Sequence, residues 1–356
     1  MDQQQWQEFL AGLGAIWEGT DTQNPRADFP LSPGESEAEL HLIDLSPLGA
    51  IAVNGPDSQK FLQGQLTCDL VTLPDNHSTL GAHCNPKGRM ISAFSALKLS
   101  HSEFILRLPR DLAPIARDAL AKYAVFFKTE LQDIGDASTG DKHRWLGVQG
   151  KGAAERTAQL LGIEHLMPGE VRAFDCNGER AIAQSLNDRQ VALLVPVAQA
   201  QNLWQQLSTG AEAAGYDRWQ QLQIEAGIPQ LHAATSELFI PQMANLHLLG
   251  GVSFKKGCYT GQEVVARMQF RGAAKRRLYR ARCVSGAIPA PGLEIYADGE
   301  QSIGNLVEAC RGAEGIELLA VLTIAKVAAG EELRLADGRV LELQELPYDA
   351  DADPLA

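Results

Sequence analysis

The sequence predicts an α+β fold with two or three domains. Segments with apolar residues at helical spacing alternate with short β-type runs joined by Asn-Gly and Asn-Asp turns, which connect antiparallel strands. This alternation favours α+β over a doubly wound parallel sheet. Residues 276–347 form short apolar runs separated by turn dipeptides, which predicts a small antiparallel barrel or sandwich. A chain of 356 residues is long enough for several hydrophobic cores.

The N-terminal segment is expected to be a helix followed by a linker, over residues 1–37. Residues 3–17 place Trp6, Leu10 and other apolar residues at helical spacing, and we expect this helix to pack on its own domain. A partner-binding helix is the alternative. Residues 20–37 carry three prolines among polar residues, which is typical of a linker.

The body of the chain alternates between strand and helix patterns. The turn signals and the apolar periodicity define the expected segments. Strands are expected over 40–53 with a break at Ser46-Pro47, and over 91–99, 103–108, 144–148 and 170–195; helices are expected from Pro56 and over 111–123, 151–161 and 199–214.

The composition indicates a folded protein without a membrane span. Hydrophobic residues make up 45% of the chain and charged residues 21%. No apolar run approaches the roughly 20 residues that cross a bilayer, and the N-terminus lacks the basic start of a signal peptide. We therefore expect a cytoplasmic protein, or one of an organelle matrix, with no membrane contact.

Charge and cysteine spacing exclude other classes of protein. A net charge of -13 repels nucleic acid over most of the surface, so we expect no stable nucleic-acid binding. The six cysteines form no Cys-x-x-Cys pair, which argues against a disulfide scaffold and against a local zinc or iron–sulfur motif. We expect no metal site.

The candidate site surrounds one cysteine. Cys258 lies between Gly257 and Gly261 and follows two cations, Lys255 and Lys256. The two glycines make the backbone on both sides of the thiol flexible. The alternative is an ordinary turn with a small core cysteine and solvated lysines.

A helix is expected to begin just after this cysteine. Thr260 followed by Glu263 fits a capping box, and Val264 and Val265 begin an apolar helical face. A helix start carries roughly half a positive charge, which together with the lysines favours a thiolate. Cys258 is therefore a candidate nucleophile.

This stretch resembles the signature of a known family. The run Lys-Lys-Gly-Cys-Tyr-Thr-Gly-Gln-Glu over 255–263, with Arg267 and Phe270-Arg271-Gly272, is similar to the motif of the YgfZ-like folate-binding proteins. These proteins are relatives of the glycine-cleavage T-protein, an aminomethyltransferase. The blocks at 54–69, 224–229 and 239–254 resemble the same superfamily. The residues implied to support Cys258 are Lys256, Gly257, Tyr259, Gly261, Gln262, Glu263 and Arg267.

The resemblance implies a T-protein-like ring of three domains that encloses a folate site. Combined with the patterns above, it predicts four parts of the chain. They are the N-terminal helix and linker (1–37), two interleaved α+β folate-binding domains (38–275), a C-terminal antiparallel β-barrel (276–347) and an acidic tail (348–356).

The same resemblance implies residues that bind tetrahydrofolate or a one-carbon derivative. Trp219 would be an aromatic wall for the pterin, and Glu225 would accept its donor N–H groups. Leu48 stands where the family has an aromatic residue, and Asn245 is a further polar contact. The alternatives are a core tryptophan, a solvated carboxylate and an amide that satisfies its own loop.

The implied function is an accessory one. The family resemblance implies a folate-binding protein that supports assembly or repair of iron–sulfur enzymes, including tRNA-modifying ones, with those enzymes or cluster-assembly proteins as partners. The alternative is a folate-dependent one-carbon transferase. Aminomethyltransferases carry an acidic residue where this chain has Ile91-Ser92-Ala93, so we do not expect the standard aminomethyl transfer.

Seven cations are concentrated near the cysteine motif. This local excess in an acidic chain suits a folate polyglutamate tail, an acidic partner or an RNA backbone. The alternative is the polar side of a strand with alternating charges. The cations are Arg267, Arg271, Lys275, Arg276, Arg277, Arg280 and Arg282.

Overall fold

The computed structural model describes most of the chain. It covers residues 3–18, 26–29, 39–135, 143–272, 274–297, 299 and 301–352. The chain forms two compact units that are interleaved along the sequence. The first unit comprises Met1–Gln59, Val71–Thr79 and Ser95–Trp219, and the second comprises Lys60–Leu70, Leu80–Phe94 and Gln220–Ala356.

The helices of the described residues are short, and none of them is long and apolar enough to cross a membrane. They are α1 (Gln3–Gly12), α2 (Ser58–Gln65), α3 (Ala113–Ala124), α4 (Ala153–Leu161), α5 (Ala200–Leu207), α6 (Tyr216–Glu225), α7 (Gln262–Arg271) and α8 (Ile324–Ala328).

The strands account for most of the remaining regular structure. They are β1 (Ile16–Glu18), β2 (Arg26–Asp28), β3 (Leu40–Asp44), β4 (Leu48–Asn54), β5 (His77–Cys84), β6 (Met90–Ser100), β7 (Glu103–Pro109), β8 (Glu130–Asp133), β9 (His143–Gly150), β10 (Val171–Cys176), β11 (Glu179–Asn187), β12 (Gln190–Pro196), β13 (Glu212–Ala214), β14 (Arg276–Cys283), β15 (Glu294–Tyr296), β16 (Ser302–Gly312), β17 (Gly315–Thr323), β18 (Leu333–Leu335) and β19 (Val340–Gln344).

A six-stranded sheet forms the centre of the first unit. Its strand order is β10-β11-β12-β9-β3-β13, and every neighbouring pair is antiparallel except β13 and β3. A second, five-stranded sheet has the order β5-β6-β7-β4-β8. Antiparallel sheets combined with helices confirm the predicted α+β class.

Both faces of the six-stranded sheet are buried. Successive strand residues point to opposite faces, so Leu42 and Leu146 join one apolar cluster while Ile43 and Trp145 join another. The first cluster also contains α1, α4 and α5 side chains, and the second contains Ala50 and other residues of the five-stranded sheet. The continuous apolar runs in these strands follow from burial on both faces.

The N-terminal helix packs on its own unit, as expected. Trp6 and Leu10 are fully buried, and the Trp6 ring meets the Trp204 ring edge-on at 5.7 Å between centroids. The Trp6 indole N–H donates to Asp44 Oδ1 at 3.1 Å. Burial raises the pKa of Asp44, with Arg144 opposing that shift.

The predicted helix over 3–17 is too long. It ends at Gly12, and Ala15 N–H bonds back to the Leu10 carbonyl at 3.0 Å beside Gly14, whose φ of 97° ends the helical path. Residues 16–18 form β1, which pairs with β2. The linker prediction is therefore wrong over 26–28, while 20–25 and 30–37 lie outside the described residues.

The predicted helix over 199–214 is also too long. Its α5 ends at Leu207, because the Ser208 and Thr209 hydroxyls donate to the carbonyls of Trp204 and Gln206 at 2.7 and 2.8 Å. The following residues form β13, which pairs in parallel with β3.

The second unit contains the predicted C-terminal barrel. Strands β14-β17-β16-β15-β18-β19 close into a barrel in which every recorded pair is antiparallel. Leu306, Leu318 and Leu322 are fully buried in its apolar core. Closure leaves no free sheet edge, which explains how such short strands form a stable sheet.

Candidate functional site

Cys258 stands at an exposed point between two buried neighbours. It lies in the irregular segment that precedes α7 in the second unit, and its thiol is exposed. The relative solvent exposure of Lys256 is 9% and that of Tyr259 is 7%, whereas Gly257 is exposed. The segment therefore presents the thiol to solvent while both of its flanks are fixed.

Lys256 fixes one flank. Its ammonium donates to the carbonyl oxygens of Leu66 and Cys68 at 2.7 Å each, and it lies 5.2 Å from the Tyr259 ring centroid. Leu66 and Cys68 follow the end of α2, where a cation is favoured by the unpaired carbonyls of the helix. Burial lowers the pKa of Lys256 to about 8. These contacts give Lys256 a positioning role, and its predicted effect on the thiolate stays a prediction.

Thr67, in the 54–69 block, anchors the residues that lead into the cysteine segment. The Thr67 hydroxyl donates to the Gly251 carbonyl at 2.6 Å and accepts the Ala82 N–H at 2.9 Å. The Ser253 N–H donates to the Thr67 carbonyl at 2.9 Å. Thr67 and Gly251 are 184 residues apart in the sequence. Their two sequence blocks thus form one site.

Two glycines allow α7 to start against the turn at 85–88. Gly261 has a φ of 83°, and a Cβ there would lie 2.5 Å from the Asn85 carbonyl oxygen. Gly88 has a φ of 72°, and a Cβ there would lie 2.8 Å from Val264 Cβ. Only glycine combines a left-handed backbone with so close an approach. Packing therefore explains why glycine stands at positions 88 and 261.

The predicted capping box is wrong. The N-cap of α7 is Gly261, and no side chain caps it. The Thr260 hydroxyl donates instead to Gln65 Oε1 at 3.2 Å, and Glu263 is exposed in the first turn. Gln262 holds the residues before the helix in place, because its Oε1 accepts the Tyr259 N–H at 3.2 Å. Sequence reasoning missed the long-range partner because it considered only local hydrogen bonds.

Cys258 differs from the other five cysteines, which are all buried. Burial raises the pKa of Cys68 to about 11 and that of Cys84 to about 12. A buried thiol is both inaccessible and hard to ionise, so these cysteines are poor nucleophiles at neutral pH. Burial also raises the pKa of Tyr259.

Two of the predicted folate-binding residues belong to the core of the first unit. Trp219 and Leu48 are 0% and 3% exposed and share one apolar cluster. A Cβ on Gly147 would lie 2.9 Å from the Trp219 ring, so the indole packs directly on the β9 backbone. The indole N–H of Trp219 is buried with no partner among the described residues.

The other two lie in the second unit. Glu225 ends α6, accepts the Gln221 amide at 2.9 Å and lies 3.9 Å from Arg280. Asn245 is buried in a left-handed conformation with a φ of 54°. Its amide donates to the Leu278 carbonyl at 3.2 Å, so it satisfies a buried backbone group.

Sequence reasoning missed Tyr348, which it placed in the tail. The Tyr348 hydroxyl donates to the Gly227 carbonyl at 2.9 Å and lies 3.4 Å from the Asn245 amide. A Cβ on Gly227 would lie 2.7 Å from that hydroxyl. The contact explains the glycine of the 224–229 block, and no local pattern around residue 348 signals it.

Buried polar atoms without a partner offer a test of whether a heteroaromatic ligand fits. Besides Trp219 Nε1 in the first unit, they include Gln220 Oε1, Gln242 Oε1 and Ser92 Oγ in the second, among the described residues. A pterin carries N–H donors and ring acceptors that match both kinds of atom. Each unit, taken by itself, therefore holds buried polar atoms of a kind that a pterin ring pairs with. In the described ranges, no three His, Cys, Asp or Glu side chains are grouped to hold a metal ion.

Comparison with known proteins identifies the family. A profile described as "GCVT N-terminal domain" matches residues 37–256. The "tRNA-modifying protein YgfZ" of Serratia proteamaculans (strain 568) is 34% identical over 331 residues, covering 90% of this chain and 97% of the relative. The protein of the same name from Enterobacter sp. (strain 638) is 34% identical over 316 residues, covering 87% and 93%. This chain belongs to the YgfZ family.

The fold comparison agrees with this assignment. The crystal structure of glycine cleavage system aminomethyltransferase T from Bartonella henselae superposes with a TM-score of 0.77 and covers 97% of both chains at 19% identity. At that identity the likeness concerns the fold alone. It confirms the T-protein-like fold that the YgfZ-type motifs implied.

Proposed function

We propose that this YgfZ-family chain is a tetrahydrofolate-binding accessory protein that supports the assembly or repair of iron–sulfur enzymes, including tRNA-modifying ones. Cys258 is its reactive thiol. The relatives' name, "tRNA-modifying protein YgfZ", supports the link to tRNA modification. The partners would be the iron–sulfur enzymes themselves or proteins that assemble their clusters.

The observation that carries the proposal is the setting of Cys258. The thiol is exposed while Lys256 and Tyr259 on either side are buried and bonded. A nucleophile needs access to its target and a fixed position, and this segment supplies both. A cysteine kept only for packing would be buried, as the other five are.

The proposed step is nucleophilic attack by Cys258 Sγ on a sulfur atom of a client. For a client disulfide or persulfide, the thiolate forms a new S–S bond and the second sulfur leaves as a thiolate, so electrons balance within the exchange. The segment around Cys258 fixes the attacking atom, and its exposure admits a protein-bound sulfur.

Folate binding is supported by the buried atoms described above. In the first unit, Trp219 would offer an aromatic wall, with Nε1 as a donor that has no partner among the described residues, and Leu48 would support it through the shared core. In the second unit, Glu225 would accept N–H groups, and Asn245 would act through the backbone that it bonds. Tetrahydrofolate, when bound, supplies a carrier for a one-carbon unit.

The alternative, a one-carbon transferase, lacks its acidic group. In β6, Ile91-Ser92-Ala93 offers a single hydroxyl, and Ser92 is fully buried. A developing positive charge on the one-carbon unit would have no counter-ion there. Formation of methylene-tetrahydrofolate from a methylamine substrate would favour this alternative.

Complementation tests the thiol. In a strain that lacks its own family member, we expect wild-type protein to restore iron–sulfur enzyme activities and Cys258→Ser to fail, because serine is a poor nucleophile toward sulfur. Cys176→Ser, which changes a buried cysteine in the first unit, serves as the matched control and is expected to restore them. Normal activities with Cys258→Ser would show that the thiol is not used.

A calorimetric titration with tetrahydrofolate tests the cofactor. We expect saturable binding that weakens about tenfold or more in Glu225→Gln, which loses a charged hydrogen-bond acceptor. Trp219→Phe keeps most of the core volume and should also weaken binding. Glu164→Gln, an exposed carboxylate, is the control. The cofactor proposal fails if wild-type protein does not bind or if all variants bind equally.

A further inference from the structure

One side of α7 presents two arginines and a phenylalanine to solvent. The helix buries Val265 and packs Val264 against Gly88, while Arg267, Phe270 and Arg271 are exposed. Residues three and four apart are neighbours on a helix surface, so these three side chains form one stripe. Together with the exposed Lys255, they are called here the α7 face.

Among the described residues, no ion pair involves the cations of the α7 face, Lys255, Arg267 and Arg271. By contrast, three of the four arginines of β14 pair with acids of the same unit. Their pairs are Arg277 with Asp351, Arg280 with Glu317, and Arg282 with Glu314 and Glu342. The alternating-charge interpretation therefore accounts for these three β14 arginines. The exposed Glu263 lies four residues before Arg267 on the same side of α7, and the three cations still leave the α7 face with a net positive charge.

The α7 face also carries an exposed aromatic ring that lies near the thiol. Phe270 is 62% exposed, and its ring meets Phe254 edge-on at 5.9 Å between centroids. Phe254 precedes Cys258 by four residues, a distance of at most about 14 Å along an extended chain. The ring contact brings the far end of α7 back beside the segment that presents the thiol.

This combination suits an acidic polypeptide. Phenylalanine and arginine are enriched at protein interfaces, and aromatic and arginine side chains often supply most of their binding energy. A carboxylate can bond an arginine in a bidentate manner, and an apolar side chain can cover the Phe270 ring. RNA fits less well, because the three cations of this face would neutralise few phosphates.

We propose that the α7 face docks a protein partner through a segment that presents carboxylates around an apolar side chain. The inference rests on the proposed function, because it places the client of Cys258 beside the thiol. The partner's charge is thereby specified: its docking segment is acidic. A positive patch on an otherwise acidic chain would also orient that segment during encounter.

Fluorescence anisotropy with two labelled probes tests this inference. One probe is a glutamate-rich peptide with a leucine at its centre, and the other is a single-stranded RNA oligonucleotide of the same net charge. We expect the peptide to bind, and to bind about tenfold or more weakly to Arg267→Glu/Arg271→Glu and to Phe270→Ser. Lys151→Glu/Arg189→Glu reverses two exposed cations of the first unit and is the matched control. Unfolding midpoints should be unchanged in all three.

The outcomes separate this inference from the proposed function. Tighter binding of the RNA, no binding of the peptide, or an equal loss in the control pair would overturn the docking proposal. A wild-type dimer that the α7-face variants dissociate would also overturn it, because a second copy would then be the occupant. Complementation separates the two claims. If Cys258→Ser fails but Arg267→Glu/Arg271→Glu restores full activity, docking is contradicted and the proposed function stands. If Cys258→Ser restores full activity, the proposed function is contradicted, and the peptide-binding measurement then tests docking at the α7 face by itself.

Discussion

Lys256 and Cys258 are two residues apart and have opposite surroundings. The lysine is buried with its ammonium on two backbone carbonyls, and the cysteine is exposed. The sequence suggested that both lysines act on the thiol by charge alone. The structure shows Lys256 as the link between the cysteine segment and the residues that follow α2.

Lys256→Met should destabilise the protein measurably. It leaves the Leu66 and Cys68 carbonyls without their donor, which we expect to lower the free energy of unfolding by about 1–3 kcal/mol. Lys255→Met is the matched control, since the exposed neighbour should change it by less than about 0.5 kcal/mol. Urea unfolding of both variants measures the difference. Equal effects would mean that the two carbonyl contacts contribute little.

At the scale of elements, contacts and backbone conformations seen in the structure determine helix starts and ends that local sequence patterns did not predict. The helix after Cys258 was predicted correctly from its apolar spacing, but its capping box was not, since Gln65 takes the Thr260 hydroxyl. The ends of α1 and α5 were missed for a related reason. Apolar periodicity continues past both helix ends, whereas Gly14 ends the helical path of α1 and the Ser208 and Thr209 hydroxyls take carbonyls at the end of α5. The residues that follow each helix then pair as strands.

Gly261→Ala should disturb the start of α7. The added Cβ would meet the Asn85 carbonyl in a left-handed backbone conformation, so we expect a loss of more than about 1 kcal/mol in unfolding free energy. Gly257→Ala is the control, because nothing lies within 4 Å of a Cβ there. Thermal or urea unfolding compares the two. If Gly257→Ala were the more damaging, the proposed packing of α7 on the 85–88 turn would be wrong.

At the scale of the whole molecule, the α+β class and a C-terminal barrel or sandwich were predictable because turn dipeptides and strand-length apolar runs are local signals. The family resemblance implied the barrel, which the structure shows closed. The roles of Trp219 and Asn245 were not predictable. A tryptophan that fills a core and one that lines a pocket look the same in the sequence. The partner of the Asn245 amide, the Leu278 carbonyl, lies far along the chain. The boundaries at 37/38 and 275/276 stay predictions.

The six cysteines allow one measurement that spans the whole molecule and tests the central claim, that Cys258 is the accessible and reactive thiol of this fold. The native protein is treated with iodoacetamide, and alkylation is followed by intact-mass and peptide mass spectrometry. We predict one rapid addition, on Cys258, which is absent in Cys258→Ser, with the other five cysteines reacting only on unfolding. Labelling of Cys68 or Cys84 as fast as Cys258, or an unreactive Cys258, would contradict the account.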